Sequence, residues 1–297
     1  MAMQQVEAMG TAVALSNEQA LIADALQQDL DAESVEILGY PEIAMRIHRA
    51  LAKEHINTNE IVRQVATEPV LAARILQIAN SAALNPRGES IVDLRTAVSR
   101  VGVNLLRGAV AAHAMRQLRS NKELVAVRGN IRDVWQKSVV VAAISDAIAR
   151  HVGGINPDTA LLAGLLHNVG ELYVLVKCAK HPEVILDKTA YGTFVSNYGA
   201  PLSVKLLQGW KIPDSLVEAV QQHVDLGRSV VGSVPSLADV LALAVTINTY
   251  SQDVEQLDLA LATMPVLQRF KFEAGYCRAL VCHSESSIGE IIDALGM

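Results

Sequence analysis

Apolar residues recur at helical spacing through most of this 297-residue chain, and this pattern limits the fold more than any other feature. Ile43, Ile47, Ala50 and Leu51, for example, fall on one face of a helix. Alternation of period two, which marks a half-buried strand, does not continue for long anywhere in the sequence. The pattern therefore predicts an all-α fold.

The composition favours a globular helical protein with an aliphatic core. Hydrophobic residues make up 51% of the chain and aromatic residues only 4%, so Ala, Leu and Val must supply most of the core. Ala and Leu are strong helix formers. The longest apolar stretches, such as 139–144 and 240–247, are far shorter than the roughly 20 residues that span a bilayer. No membrane association is expected.

Charge and cysteine content narrow the class of protein further. The formal net charge of -6 argues against nucleic-acid binding, because affinity for a phosphate backbone requires clustered Lys and Arg. The start of the chain does not resemble a secretory signal. Cys178, Cys277 and Cys282 lack the paired spacing of a zinc site and are expected to be reduced thiols in a cytoplasmic protein. Ligation of a metal by Cys277, Cys282 and His283 is a weaker alternative.

Start and stop signals divide the chain into helices. The expected punctuation is a capping box at Ser16, a cap at Thr58, a cap at Asp93, an interruption at Gly102 and an end at Gly153. The stretch 157–178 is apolar on nearly every side and predicts one continuous central helix.

Seven motifs, taken in order, resemble the HDOD domain. They are Glu68-Pro69-Val70-Leu71, Arg74-Ile75-Leu76, Ala79-Asn80-Ser81-Ala82, Ala97-Val98-Ser99-Arg100-Val101-Gly102, Trp135 with Ser138, Ala163-Gly164-Leu165-Leu166-His167-Asn168-Val169-Gly170, and Trp210-Lys211-Ile212-Pro213. The resemblance implies an N-terminal helical lobe packed on a degenerate HD-like helical lobe, in proteins that are usually bacterial regulators. It implies no established enzymatic activity.

The pair His167-Asn168 stands where HD-type phosphohydrolases have the adjacent His and Asp that bind a metal ion. Asn has the shape of Asp without its charge, so it neither neutralises a divalent cation nor acts as a general base. The resemblance puts Lys137 and Gly199 where catalytic relatives have histidines, and only His223 remains of a later His pair. The ammonium group of Lys137 would repel a divalent ion. No catalytic residue, metal site or cofactor is therefore expected.

Other polar residues invite two interpretations each. His167 is either a lone functional imidazole or, as we expect, a neutral core residue whose nitrogens are hydrogen-bonded. Asn80-Ser81 either binds a ligand or satisfies backbone groups at a helix end, and we favour the second. Trp135 and Trp210 are expected to anchor the core.

The sequence predicts three segments. Residues 1–35 form an N-terminal helical segment, residues 36–230 form the HDOD domain, and residues 231–297 form a C-terminal helical extension packed on the core. Leu237, Leu241, Ala244 and Val245 give the extension an apolar face that needs a partner.

The expected function is that of a non-catalytic regulatory or scaffold module in bacterial signal transduction, acting by contacts with other signalling proteins or with further copies of itself. Two alternatives stay open. One is a metal-dependent phosphohydrolase or cyclic-dinucleotide phosphodiesterase with an unusual site, which a tightly bound metal would favour. The other is a sensor that binds a nucleotide or small anion without hydrolysing it, which a ligand-dependent rise in melting temperature would favour.

Overall fold

The computed structural model describes residues 17–35, 37, 41–53, 55–82, 84–86, 88–229, 234–273, 275–277 and 279. These residues are largely helical and include no strand, as the sequence predicts. The first five helices are α1 (Asn17–Asp31), α2 (Glu42–Leu51), α3 (Thr58–Ala66), α4 (Pro69–Ala79) and α5 (Leu94–Ser120). The next seven are α6 (Arg128–Val152), α7 (Pro157–Leu166), α8 (Val169–Lys177), α9 (Pro182–Leu186), α10 (Lys188–Phe194), α11 (Ala200–Gly209) and α12 (Asp214–Gln222). Helices α13 (Leu237–Thr249), α14 (Val254–Thr263) and α15 (Pro265–Gln268) follow.

Local sequence signals set several helix ends where they were expected. The Asp93 carboxylate accepts a hydrogen bond of 2.8 Å from the amide of Thr96 and caps α5. Gly102 interrupts α5 with a φ of 74°, and Gly153 ends α6 with a φ of 70°. Both conformations are left-handed and therefore favour glycine.

One predicted helix start differs from the structure by one residue, and another lies outside the described residues. The cap of α3 is Asn57 and not Thr58, because the Asn57 side chain accepts hydrogen bonds from the amides of Asn59 and Glu60. Thr58 is the first residue of that helix. The predicted capping box at Ser16 lies outside the described residues.

The helices form two lobes that share one aliphatic core. In the N-terminal lobe, α2, α3 and α4 pack against α5. In the second lobe, α6, α7, α8, α11 and α12 pack together, and α5 reaches across to contact α7. Helix α1 lies against α8 and α11 of the second lobe, and α13 lies against α6 and α12. Trp135 and Trp210 are both buried.

The predicted continuous helix over 157–178 is wrong in one respect, because the structure divides it into α7 and α8 at His167-Asn168.

The wider stretch Pro157–Lys180 is long and apolar enough to cross a membrane by length and composition, with a mean hydropathy of 1.4. It is longer than the apolar stretches noted in the sequence because it includes polar residues such as His167 and Asn168. Inside the protein, 72% of its most apolar window is buried, as in the core helix of a folded domain.

Candidate functional site

The junction of α7 and α8 positions the His-Asn pair. Asn168 leaves the helical conformation, with φ of -109° and ψ of 20°, and lies immediately before the first residue of α8. The Ser203 hydroxyl of α11 holds the junction, because it accepts a hydrogen bond from the Gly170 amide and donates one to the His167 carbonyl, each of 2.9 Å. The polypeptide therefore turns here against a fixed neighbouring helix.

Two glycines allow the helices around this junction to approach each other closely. A Cβ atom on Gly170 would lie 1.9 Å from the Gly199 carbonyl oxygen, and one on Gly164 would lie 2.4 Å from the Cα atom of Ala142 in α6. Neither distance is compatible with a side chain. The backbone contacts made through these glycines place α7 and α8 directly against α6 and α11.

The structure brings His167 and His223 together. Their rings are perpendicular, with centroids 5.6 Å apart and an interplanar angle of 89°. The Nδ1 atom of each ring lies 2.7 Å from a carbonyl oxygen of the preceding turn, that of Gly164 for His167 and that of Val220 for His223. Because a carbonyl only accepts, Nδ1 carries the proton in each neutral ring.

Burial keeps both imidazoles uncharged. It lowers the pKa of His167 to about 3, and the adjacent His223 ring lowers this pKa further, against the effect of the hydrogen bond to Gly164. Burial also lowers the pKa of His223 to about 4, with a smaller contribution from the positive charge of Arg228. Neither ring carries the proton that a general acid needs near neutral pH.

The Asn168 side chain is hydrogen-bonded to a neighbouring carboxylate. Its side-chain amide donates a hydrogen bond to Glu171 Oε2, and the Tyr191 hydroxyl donates one of 3.1 Å to Glu171 Oε1. Burial, together with the charge of Glu171, raises the pKa of Tyr191 and keeps its proton in place. The Glu171 carboxylate thus accepts two hydrogen bonds from within the protein.

Gly199 and Lys137, the other two positions that the resemblance singled out, differ in their burial. Gly199 is buried at the end of a π-helical turn, Val195–Gly199, and contributes its carbonyl to the contact with Gly170. Lys137 is exposed on α6, and no described hydrogen bond or ion pair links it to the histidines. Repulsion of a cation by the Lys137 ammonium group stays a prediction.

The donors at the junction do not fit a resident divalent ion. They comprise two imidazoles, an amide and a carboxylate that already accepts two hydrogen bonds, and no group of three or more His, Cys, Asp and Glu side chains suited to a metal occurs among the described residues. Cys277 is buried, and burial raises the pKa of its thiol to about 11. Cys282 and His283, the other residues of the weaker ligand set, lie outside the described part of the chain.

Residues of the N-terminal lobe play the structural roles that were expected. The Asn80 side chain donates to the carbonyls of Leu76 and Ile91, at 2.9 and 2.8 Å, and accepts from the Ile91 amide. It thereby closes the end of α4. The partly buried Ser81 contributes only its backbone to the turn that follows.

Three participants at the junction were not predicted from the sequence, namely Glu171, Tyr191 and Ser203. Glu171 stands three residues after Asn168, and this helical spacing was a usable signal. Tyr191 and Ser203 reach the junction from α10 and α11, and nothing local in the sequence points to them.

A family model for the HDOD domain matches residues 37–226. Among solved structures, a Shewanella amazonensis SB2B protein, named provisionally as a metal-dependent phosphohydrolase, has a TM-score of 0.67 and 24% identity over 95% of this chain and 100% of its own. An HDOD domain protein of unknown function from Geobacter sulfurreducens has a TM-score of 0.58 and 22% identity over 94% of this chain and 97% of its own.

A protein from Marinobacter aquaeolei VT8, named provisionally as a signal transduction protein, has a TM-score of 0.59 and 19% identity over 96% of this chain and 67% of its own. No curated protein matches this chain. At these identities the solved structures establish a shared helical fold. Because the family model covers more than half of the sequence, including the junction of α7 and α8, this chain belongs to the HDOD domain family.

Proposed function

We propose that this chain is a non-catalytic regulatory module that acts through contacts with other proteins. The observation that carries the proposal is the state of Asn168, whose amide is hydrogen-bonded to Glu171 at the position where HD-type hydrolases carry a metal-binding carboxylate. An amide supplies neither the negative charge nor the basicity that metal-assisted hydrolysis requires.

The surroundings of Asn168 support the same function. His167 and His223 are neutral, packed ring against ring, and each is anchored to a backbone carbonyl. These hydrogen bonds to the backbone and the contact between the rings stabilise the junction. The name of the Marinobacter relative is in keeping with a regulatory role, although likeness at 19% identity extends only to the fold.

A protein that regulates without chemistry must bind something else. The partners we propose are other signalling proteins, and a cytoplasmic location remains our prediction from the sequence. Cys178 and Cys277 are both buried free thiols, and such thiols stay reduced in the cytoplasm.

The proposal is tested by purifying the protein from cells grown with added manganese, iron and zinc, then measuring its metal content and its captured partners from the same preparation. We expect well under one equivalent of metal, and a defined protein partner whose binding survives treatment with a chelator. Near one equivalent of metal, lost together with partner binding on chelation, would overturn the proposal.

A further inference from the structure

A groove with a volume of about 950 Å³ opens on the surface between α1, α2, α11 and α12. Its apolar floor includes Leu30, Val204 and Val224. Val224 is 57% exposed, so its side chain is accessible to a ligand in the groove. None of its described lining residues is His167, Asn168, Glu171 or His223, although Val204 and Val224 directly follow Ser203 and His223 in the chain.

The rim of the groove is basic in a protein that is acidic overall. Arg49, Lys205 and Lys211 line it, against the single carboxylate of Glu33 among its described residues, while the whole chain has a formal charge of -6. Lys205 donates hydrogen bonds to the carbonyls of Leu30 and Ala32 at the end of α1. The positive electrostatic potential at this groove therefore favours an acidic ligand.

Arg49 and Lys211 are the two cations available to a ligand. Both side chains are exposed, and neither forms an ion pair or a hydrogen bond with any residue that the structure describes. Each directly follows a residue of a buried aromatic stack, in which the rings of His48 and Trp210 lie parallel with centroids 5.8 Å apart. Since both neighbours are fixed in the core, the two backbone positions are fixed before any ligand arrives.

The walls of the groove limit the kind of ligand that fits. Most of the lining residues lie in helices, and the described residues include no strand, so the groove offers no edge for strand addition. None of the described lining residues is aromatic, whereas polyproline ligands and nucleic-acid bases bind on aromatic side chains. Two turns of α-helix, about 10 Å wide and 11 Å long, occupy roughly 850 Å³, close to the volume of the groove.

We propose that this groove binds an acidic amphipathic helix of a partner protein. The helix places apolar side chains at i, i+3, i+4 and i+7 on the floor and Asp or Glu at flanking positions against Arg49 and Lys211. Because α2 belongs to one lobe and α11 to the other, the bound helix contacts both lobes. This inference rests on the proposed function, and it names the kind of partner.

The test is a selection of 16-residue peptides from a randomised display library on the full-length protein. We expect enriched peptides with apolar residues at the four helical positions and an excess of Asp and Glu. The double substitution Arg49→Glu and Lys211→Glu should weaken their binding at least tenfold. The matched control, Arg46→Glu and Arg63→Glu, reverses two exposed cations of α2 and α3 and should change affinity less than twofold.

Thermal unfolding of both double variants first shows that each is folded. Val224→Asn keeps the groove charges, removes only an exposed apolar contact, and should also weaken binding. The proposal is wrong if no peptide is enriched, if enriched peptides show no acidic excess, or if they bind both double variants alike. It is also wrong if the wild type self-associates through the groove, because its occupant is then a second copy.

Failure here is distinguishable from failure of the proposed function. A protein partner that binds wild type and the groove double variant equally would refute the groove and leave the regulatory function intact. Metal-dependent turnover by the wild type would refute the proposed function whatever the groove binds.

Discussion

At the scale of single residues, Asn168 decides what the junction of α7 and α8 can do. Asn carries an amide where Asp carries a carboxylate. The Asn168 amide donates a hydrogen bond to Glu171, whereas an Asp carboxylate would repel the Glu171 carboxylate. The sequence was enough to identify this position, because the motif around it is local. Tyr191, the second donor to Glu171, was not predictable, since its contact with Glu171 spans 20 residues and depends on how α10 packs.

We predict that Asn168→Asp does not create a hydrolase and instead destabilises the protein. The new carboxylate faces that of Glu171, so the substitution loses a charge-assisted hydrogen bond and adds repulsion, costing roughly 1–3 kcal/mol at pH 7. The double variant Asn168→Asp with Glu171→Gln restores an amide–carboxylate pair and should recover most of the loss. Urea unfolding of the set measures this, and wild-type stability in the single variant would contradict it.

Buried histidines should make the protein sensitive to acid. Burial lowers the pKa of His48 and of His167 to about 3 and that of His223 to about 4, whereas in the unfolded chain all three titrate near pH 6.5. The unfolded state therefore binds protons first, and stability falls as the pH drops below about 6.5.

At pH 5 each of these histidines should cost on the order of 2 kcal/mol relative to pH 7.5. Urea unfolding at the two pH values measures the difference, and His223→Gln should reduce it by about one histidine's share. Stability that is equal at pH 7.5 and pH 5 would show that these rings are not buried as described.

At the scale of helices, several boundaries followed from local chemistry, whereas the cap of α3 was one residue off and the break between α7 and α8 was not predicted. The cap at Asp93 and the left-handed glycines at 102 and 153 could be predicted, because a carboxylate or a missing Cβ acts within one turn. The break between α7 and α8 could not, since an apolar sequence alone favours a continuous helix. Contacts of Gly170 with Gly199 and Ser203, which are distant in sequence, accompany that break.

The close approach of these helices predicts a strong dependence on two glycines. Gly164→Ala or Gly170→Ala would force a Cβ against backbone atoms and should cost about 3 kcal/mol or more, because backbone cannot move aside locally. Gly192→Ala in α10 is the control, since nothing lies within 4 Å of its Cβ position. It should be neutral or stabilising by about 0.5–1 kcal/mol. Equal melting temperatures for all three variants would refute the packing.

At the scale of the whole molecule, one buried carboxylate links the C-terminal helices to each other and to the rest of the chain. Asp239 of α13 is 1% exposed and pairs with Arg228 before the helix and Arg269 after α15. The amphipathic pattern of α13 predicted an element in need of a partner. It did not reveal which charges meet, because pairs 11 and 30 residues apart depend on the final packing.

We predict that Asp239→Asn lowers stability by about 3–5 kcal/mol, because it removes one partner of a buried ion pair. Asp146→Asn, which breaks the more exposed pair with Arg150, should cost less than about 1 kcal/mol.

Limited proteolysis of the wild type near residues 227–233 should yield no independently folded C-terminal fragment. Release of a soluble, cooperatively folded fragment would show that 231–297 is a domain of its own.

The central claim is that the junction around Asn168 performs no phosphoester hydrolysis. The most direct measurement is turnover of cyclic dinucleotides and bis(p-nitrophenyl) phosphate by the purified wild type with saturating manganese, iron, magnesium or zinc. We predict rates no higher than those of the same metal in buffer. Turnover that His167→Ala and a chelator each abolish, in a variant that remains folded, would contradict the account.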